Sequence, residues 1–184
     1  MDSLANHFLI AMPGMGDPNF GQTVTLICEH NEAGALGLVI NRPIGMDLGE
    51  VFEQLDMINT DPLMSAGQVM QGGPVQQDRG FVLHPPGGEW DSTLAISESL
   101  QVTTSQDVLA ALADARGPEK ALVVLGYAGW GAGQLEQEML ANAWLSVPAD
   151  PALVFDVPVE QRWRRAAGLL GIDLEQLSTY AGHA

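Results

Sequence analysis

The chain holds one cysteine, Cys28, and His30 follows two residues later. A thiol beside an imidazole is the pairing from which cysteine nucleophiles are made, because the base takes the thiol proton. On an extended strand, residues i and i+2 share a face about 6.6 Å apart. A working pair sits within about 2.6–3.2 Å, so sulfur and ring must lean together. His84, or His7 from a neighbouring strand, could supply the base instead. Val24 and Leu26 share the face of Cys28, and free cysteine is among the most buried residue types. Nucleophile and core residue both remain open readings.

A second stretch with site chemistry is Leu125-Gly-Tyr-Ala-Gly-Trp-Gly-Ala-Gly-Gln-Leu-Glu-Gln-Glu138. It reads as a strand over Lys120–Gly126, a loop with glycine at 126, 129, 131 and 133, and a helix from Gln134. Backbone amides at such a helix start can face a ligand. No Lys-Ser or Lys-Thr follows, so this is not a phosphate-gripping loop, and Gln134 occupies the third glycine position of a dinucleotide fingerprint. Glu136 and Glu138 fall in the first helical turns and would repel a phosphate. The stretch suggests a binding site without naming a reaction.

Cations are scarce, which singles out Arg42 at a strand exit between Asn41 and Pro43. One reading sets Arg42 near Glu136 or Glu138 in a polar cavity roofed by Tyr127 and Trp130. Asn41, Gly72, Gly73 and Gln134 would add polar and backbone contacts. The competing readings are an exposed ion pair worth about 0–1 kcal/mol, aromatics that plug the core, and glycines that serve a turn. His7, His30, His84 and His183 show no metal-ligand spacing. Ser65 and Ser105 lack a nucleophile elbow, and Ser105 suits a helix start. Neither a metal nor a cofactor is expected.

Charge narrows the partners. Seven Lys and Arg against 23 Asp and Glu give a net charge of -16. Such a polyanion repels nucleic acid and anionic membrane surfaces. Arg162, Arg164 and Arg165 are the nearest approach to a basic patch, read as a solvated helix face with Trp163 turned inward. No apolar run reaches the roughly 20 residues of a membrane span, and Met1-Asp2-Ser3 lacks a signal peptide's basic region. A lone cysteine and no signal peptide point to the cytoplasm.

These groups must be held by a core, and 184 residues with 46% apolar content suffice for one domain, 1–184. Strands are expected at His7–Ala11, Thr23–His30 and Ala35–Asn41, the last two joined by the Asn31–Gly34 hairpin turn. Pro43 should prevent continuation. Leu48, Val51, Phe52 and Leu55 mark a helix over Asp47–Asp56, and 57–67 reads as irregular. Short strands follow near Val69–Gln71, Gly80–His84, Thr93–Ile96 and Leu100–Val102. Thr104 with Asp107 suggests a capping box for a helix ending at Gly117-Pro118. A helix over Gln134–Leu145, a strand over Ala152–Phe155, a helix over Val159–Leu170 and a short helical turn in Ile172–Ala184 complete the reading. Early hairpins with later helices make an α+β domain with a mostly antiparallel sheet.

Ordered motifs add a resemblance. They include His7-Phe-Leu-Ile-Ala-Met-Pro13, Gly37-Leu-Val-Ile-Asn-Arg-Pro43, Gly72-Gly-Pro-Val75, Arg79-Gly-Phe-Val-Leu-His84, Gly126-Tyr-Ala-Gly-Trp130, Gly133-Gln-Leu-Glu-Gln-Glu138 and Asn142-Ala-Trp-Leu145. With these, the chain closely resembles the AlgH/YqgE family of bacterial proteins. The resemblance implies an α+β fold whose bent, mostly antiparallel sheet forms a pseudo-barrel with helices packed outside. It brings no catalytic residue set and no cofactor, and some members are labelled transcriptional regulators. The family pattern holds Gly126, Trp130 and Gly133 but not Gly129 or Gly131. The leading expectation is a non-catalytic protein that binds an unknown small molecule or protein and influences transcription indirectly. The alternatives are an enzyme using Cys28 with a histidine, and a direct DNA-binding regulator, which the charge opposes.

Overall fold

The computed structural model describes residues 2–14 and 20–174. Its elements are β1 (His7–Ala11), β2 (Val24–Asn31), β3 (Gly34–Val39), β4 (Pro43–Asp47), α1 (Leu48–Gln54), α2 (Pro62–Ser65), β5 (Gln68–Gln71), β6 (Val75–His84), β7 (Thr93–Ala95) and β8 (Gln101–Thr103). Then come α3 (Gln106–Ala113), β9 (Leu122–Gly131), α4 (Gln134–Leu140), β10 (Trp144–Pro148), α5 (Pro151–Phe155), a 3-10 turn at Val159–Gln161 and α6 (Arg162–Gly168).

One sheet runs β10-β1-β2-β3-β9-β6-β8-β7, with β4 and β5 attached beside β9. All pairs along that path are antiparallel, and β5 runs parallel to β9. The sheet curls into a half-barrel, as expected. Alternation along each strand separates two layers, since successive side chains take opposite faces. Phe8, Ile10, Leu26, Leu38, Phe81, Leu83 and Val124 meet inside the curl, with Leu153 and Val154 of α5 and Ala166 of α6 against them. On the outer face, Val69, Val82 and Val123 pack on α1 and α3 through Val51, Phe52, Val108 and Leu112. Further along, Leu9, Ile27, Ala128 and Trp130 pack with Leu135 of α4. Each fully buried Phe or Leu of these clusters contributes roughly 1.5–3 kcal/mol.

Two irregularities shape the sheet. The register of β2 against β3 shifts between Ile27 and Glu29, so Ile27 faces Gly37 but Glu29 faces Leu36. One extra residue in β2 reverses the side-chain alternation beyond it. The second is a backbone crossing. Gly72 donates its N–H to Leu125 and accepts from Val39, wedging the end of β5 between β3 and β9. A Cβ on Gly73 would stand 2.2 Å from the Tyr127 carbonyl carbon, and one on Gly126 2.7 Å from the Gly73 oxygen. Only glycine permits this approach.

Local signals account for the helix starts. Asp47 accepts from the Glu50 N–H while Glu50 accepts from the Asp47 N–H, a reciprocal cap at α1. Asp61 and Asp150 cap α2 and α5, each with proline in the first turn.

Several expected elements are corrected. The strand expected to end at Gly126 runs on through Tyr127, Trp130 and Gly131, because Gly129 and Gly131 pair with Leu36 and Gly34 of β3. The helix from Gln134 stops at Leu140, and Trp144–Pro148 pairs with β1 as an edge strand. Ala152–Phe155 is helical, since Asp150-Pro151 is a helix start. The last helix is shorter, a 3-10 turn followed by Arg162–Gly168. Pro43 opens β4 rather than ending the region, and the irregular stretch contains α2. Ser105 rather than Thr104 is the N-cap of α3. Its hydroxyl donates to Asp107 Oδ1 at 2.5 Å instead of capping a backbone amide. The expected turn beyond Leu174 lies outside the described residues, as does His183.

Candidate functional site

Cys28 sits on the inner face with Leu26, 4% exposed. Burial, reinforced by the charge of Glu29, pushes its thiol up to about 12. Its sulfur lies 3.8 Å from the Leu26 carbonyl. His30 opposes Ala35, which belongs to the outer cluster of Ile27 and Trp130. The β2 bulge therefore puts Cys28 and His30 on opposite faces, correcting the shared face expected from alternation.

The imidazoles are committed elsewhere. His30 Nδ1 accepts the Leu4 N–H at 2.8 Å, so its proton is on Nε2, which donates to Glu136. That bond holds the Glu136 carboxyl below its usual range. His84 is fully buried; Nδ1 donates to the Pro85 carbonyl at 2.8 Å and Nε2 accepts from Thr103 Oγ1 at 2.7 Å. His7 Nδ1 lies 3.1 Å from the Ala5 carbonyl. No group of three His, Cys, Asp or Glu among the described residues could hold a metal.

The cavity expected around Arg42 is also corrected. The Arg42 guanidinium donates to the Gly21 carbonyl at 3.1 Å, beyond the start of β2, whereas His30 and Glu136 meet at the far end of that strand. No ion pair among the described residues joins Arg42 to Glu136 or Glu138. Asn41 accepts from the Val24 N–H and donates to the Gln22 carbonyl, tying off the β2–β3 ladder. Tyr127 packs edge-on against Phe81 inside the curl, while Trp130 lies on the outer face. Three positions apart on one strand, they cannot roof one cavity. Gly72 and Gly73 are the backbone crossing.

What the structure does bring together is a set of polar bonds under α4. Glu138 Oε1 accepts both indole N–H groups, from Trp130 at 3.1 Å and Trp144 at 3.0 Å. Gln134 donates to Glu138 Oε2 at 2.9 Å and accepts from the Gly131 N–H at 2.9 Å. Trp130 and Trp144 are 6% and 5% exposed, with Phe20 against both rings. Glu138 is a buttress, since its acceptors are occupied by the protein itself.

The basic helix face needs one correction too. Arg162 is buried, donating to the carbonyls of Ile40 and Val157, and burial lowers its guanidinium to about 10. Trp163 does turn inward, donating to the Ala11 carbonyl at 3.0 Å.

His30 and Glu136 line a hollow of about 380 Å³ with Ser3 and Glu32, and further open space lies away from them. A groove of about 320 Å³ runs between α1 and α3 over β6 and β9, lined by Met46, Val51, Leu55, Leu109, Val123 and Leu125. Arg79 and Asp78 stand at its polar side. A slot of about 320 Å³ passes Cys28, Phe81 and Leu94 on the other face, and a hollow of about 520 Å³ lies between Trp90, Pro86 and Pro118. The α1–α3 groove escaped the sequence reading because its walls come from segments distant in the chain. One available signal was the run 43–78, which has six acidic residues and no Lys or Arg.

The fold defines the class first: a mixed α/β protein built on a curled antiparallel half-barrel. Comparison then supplies the family. The DUF179 model, described as AlgH-like, matches residues 8–175, and the chain belongs to that family. A UPF0301 protein of Thioalkalivibrio sulfidiphilus is 56% identical over 99% of this chain and 97% of its own length. One from Pseudomonas aeruginosa strain UCBPP-PA14 is 58% identical over 98% and 96%. The solution structure of the AlgH protein from Pseudomonas aeruginosa superposes with a TM-score of 0.80 at 57% identity, covering 99% of this chain and 96% of that one. Protein DIP2367 of Corynebacterium diphtheriae shares the fold at 20% identity, with a TM-score of 0.75. No helix among the described residues is long and apolar enough to cross a membrane.

Proposed function

We propose that this chain is a cytoplasmic, non-catalytic binding protein that acts through a protein partner, and that any influence on transcription is indirect. One observation carries the reading. Of the eight large apolar side chains exposed among the described residues, four (Ile44, Leu55, Ile58 and Leu63) fall within twenty positions of the chain, and Leu55 among them lines the α1–α3 groove. Concentrated apolar exposure marks interaction surfaces. A groove of about 320 Å³ is at the small end for a small-molecule site but ample for anchor side chains of a protein. The enzyme alternative loses support from the buried, neutral Cys28 and its separation from His30. Direct duplex binding is opposed by the charge of -16.

Native mass spectrometry after incubation with cell extract tests this. The expected result is a retained protein that is lost from the Leu55→Asp variant. Turnover of any substrate that disappears in a folded Cys28→Ser variant would overturn the reading.

A further inference from the structure

We propose that the slot on the inner side of the curl binds a small zwitterion, a free α-amino acid with an apolar side chain. This site is separate from the α1–α3 groove and does not depend on the protein-docking reading above.

The slot lies within the concavity of the sheet. Glu29 of β2 and Leu36 of β3 form one wall, and Arg79 and Phe81 of β6, Leu94 of β7 and Val102 of β8 form the other. In the sheet order β9 stands between those two groups of strands. Strands so separated share one space across the inside of the bend. The mouths of curled and barrel sheets are common places for small-molecule sites, and about 320 Å³ suits a ligand at the small end of their range.

Two opposite charges line this space without meeting. The register shift in β2 sets Glu29 against Leu36, and Leu36 packs on the inner cluster. Bulges re-aim side chains in this way and are enriched next to active sites. Across the slot, the Arg79 guanidinium lies over the Phe81 ring, with Cζ 5.1 Å from the centroid. That contact holds a planar fork whose geometry matches a carboxylate. Neither Glu29 nor Arg79 makes a side-chain hydrogen bond or an ion pair among the described residues. An arginine without a carboxylate stands out in a chain with 23 Asp and Glu against seven Lys and Arg.

The chemistry of the ligand follows from these walls. A lone anion is attracted by Arg79 and repelled by Glu29, and for a lone cation the signs reverse. A molecule carrying both charges satisfies both groups. Leu36, Phe81, Leu94 and Val102 add apolar surface beside them, and Leu94 is 44% exposed. Covering that surface favours a ligand with an apolar third part. An α-amino acid carries ammonium, carboxylate and side chain on one carbon.

The test titrates the full chain with leucine, methionine and phenylalanine, and with glycine, which lacks the apolar part. The tightest binder is then compared with its amide, which lacks the carboxylate, and with its deaminated acid, which lacks the ammonium. Binding is read by calorimetry and by the amide shifts of Glu29, Phe81 and Leu94. The expected Kd is on the order of 100 μM, within reach of a ligand of about ten non-hydrogen atoms. Glycine, the amide and the deaminated acid should each bind about tenfold more weakly. Glu29→Gln should erase the preference over the deaminated acid, and Arg79→Gln the preference over the amide. Both positions are exposed, so the fold should survive either change. Arg79 also borders the α1–α3 groove, so Glu29→Gln is the variant that isolates the slot. Equal binding of the amino acid and its deaminated acid overturns the inference, and so does a Glu29→Gln variant that keeps the full preference. If none of the three amino acids moves those amides at millimolar concentration, the inference falls while the docking reading stands.

Discussion

Cys28 and His30 are two positions apart on β2, yet the cysteine faces the inside of the curl and the histidine the outside. The cause is the extra residue between Ile27 and Glu29. One bulge thus separates the two groups that alternation would place together, and each then finds a structural role. Cys28 fills the core. His30 tethers the chain start through the Leu4 amide and holds Glu136 of α4.

Alkylation of Cys28 should be slow at neutral pH and follow opening of the structure. A thiol raised to about 12 in the fold, from an ordinary 9.0, also links stability to pH. Its contribution is complete below the unfolded value and is lost as pH climbs from about 9 towards 12. The slope in that window is about 1.4 kcal/mol per pH unit. The difference in urea stability between the natural protein and Cys28→Ala should widen accordingly below pH 9 relative to pH 11. Rapid alkylation with a midpoint near the ordinary 9.0 would show an accessible thiol instead.

Glu138 is expected to matter for stability because two nearly buried indoles share its oxygen. Glu138→Ala strands both N–H groups, at roughly 1–3 kcal/mol each. Glu138→Gln keeps one carbonyl acceptor for the indoles and should therefore cost less. Urea midpoints give the energies, and the indole N–H resonances of Trp130 and Trp144 should both move.

How much of this was legible follows from particular residues. The β2–β3 hairpin was clear because alternation and a glycine turn coincide at Thr23–Asn41. β9 was cut short because glycine at 126, 129 and 131 reads as loop, yet Gly129 and Gly131 oppose Leu36 and Gly34 as ordinary strand residues. A four-residue apolar run such as Ala152–Phe155 cannot separate strand from buried helix by periodicity. The preceding Asp150-Pro151 could have decided it. Arg162 read as solvated because local spacing cannot reveal a carbonyl offered by Ile40, 122 positions away. The polar cavity failed for the same reason, with Tyr127 and Trp130 sorted by strand parity onto different faces.

Gly73 should tolerate no side chain. Its φ is +157°, which L side chains rarely adopt, and space adds a second obstacle: the added carbon would stand 2.2–2.4 Å from the backbone of Tyr127 and Ala128. Gly73→Ala must push β9 aside and should cost about 3 kcal/mol or more. Gly87 has φ +137° with nothing within 4 Å, so Gly87→Ala should cost only about 1 kcal/mol. Thermal denaturation of the two variants decides it, and equal losses would mean that the crossing is looser than described.

Thr25 offers the opposite sign. Its hydroxyl is fully buried and has no hydrogen-bond partner among the described residues, against Gly37 and the outer cluster of Trp130. An unmet buried hydroxyl costs about 1–3 kcal/mol, so a substitution of the same shape without it should be neutral or stabilising. Thr25→Val should hold or raise the urea midpoint, whereas Thr25→Ala should lower it by opening a cavity. A loss on going to valine as large as that on going to alanine would show that the hydroxyl has a partner in solution.

The His30–Glu136 pair should declare itself in acid. His30 Nε2–H holds the Glu136 carboxyl below its ordinary 4.5. A depressed carboxyl stabilises the fold above its unfolded value, and that contribution is lost as pH falls through the folded one. In a carbon-detected titration of the carboxyl resonances, Glu136 should therefore titrate below 4.5 in the natural protein. His30→Ala should bring it back towards that value. The same variant deprives the Leu4 amide of its acceptor, so Leu4 should exchange with solvent faster at neutral pH, where Glu136→Gln keeps the imidazole in place and should change that rate less. An unchanged Glu136 midpoint in His30→Ala would remove the bond as the cause.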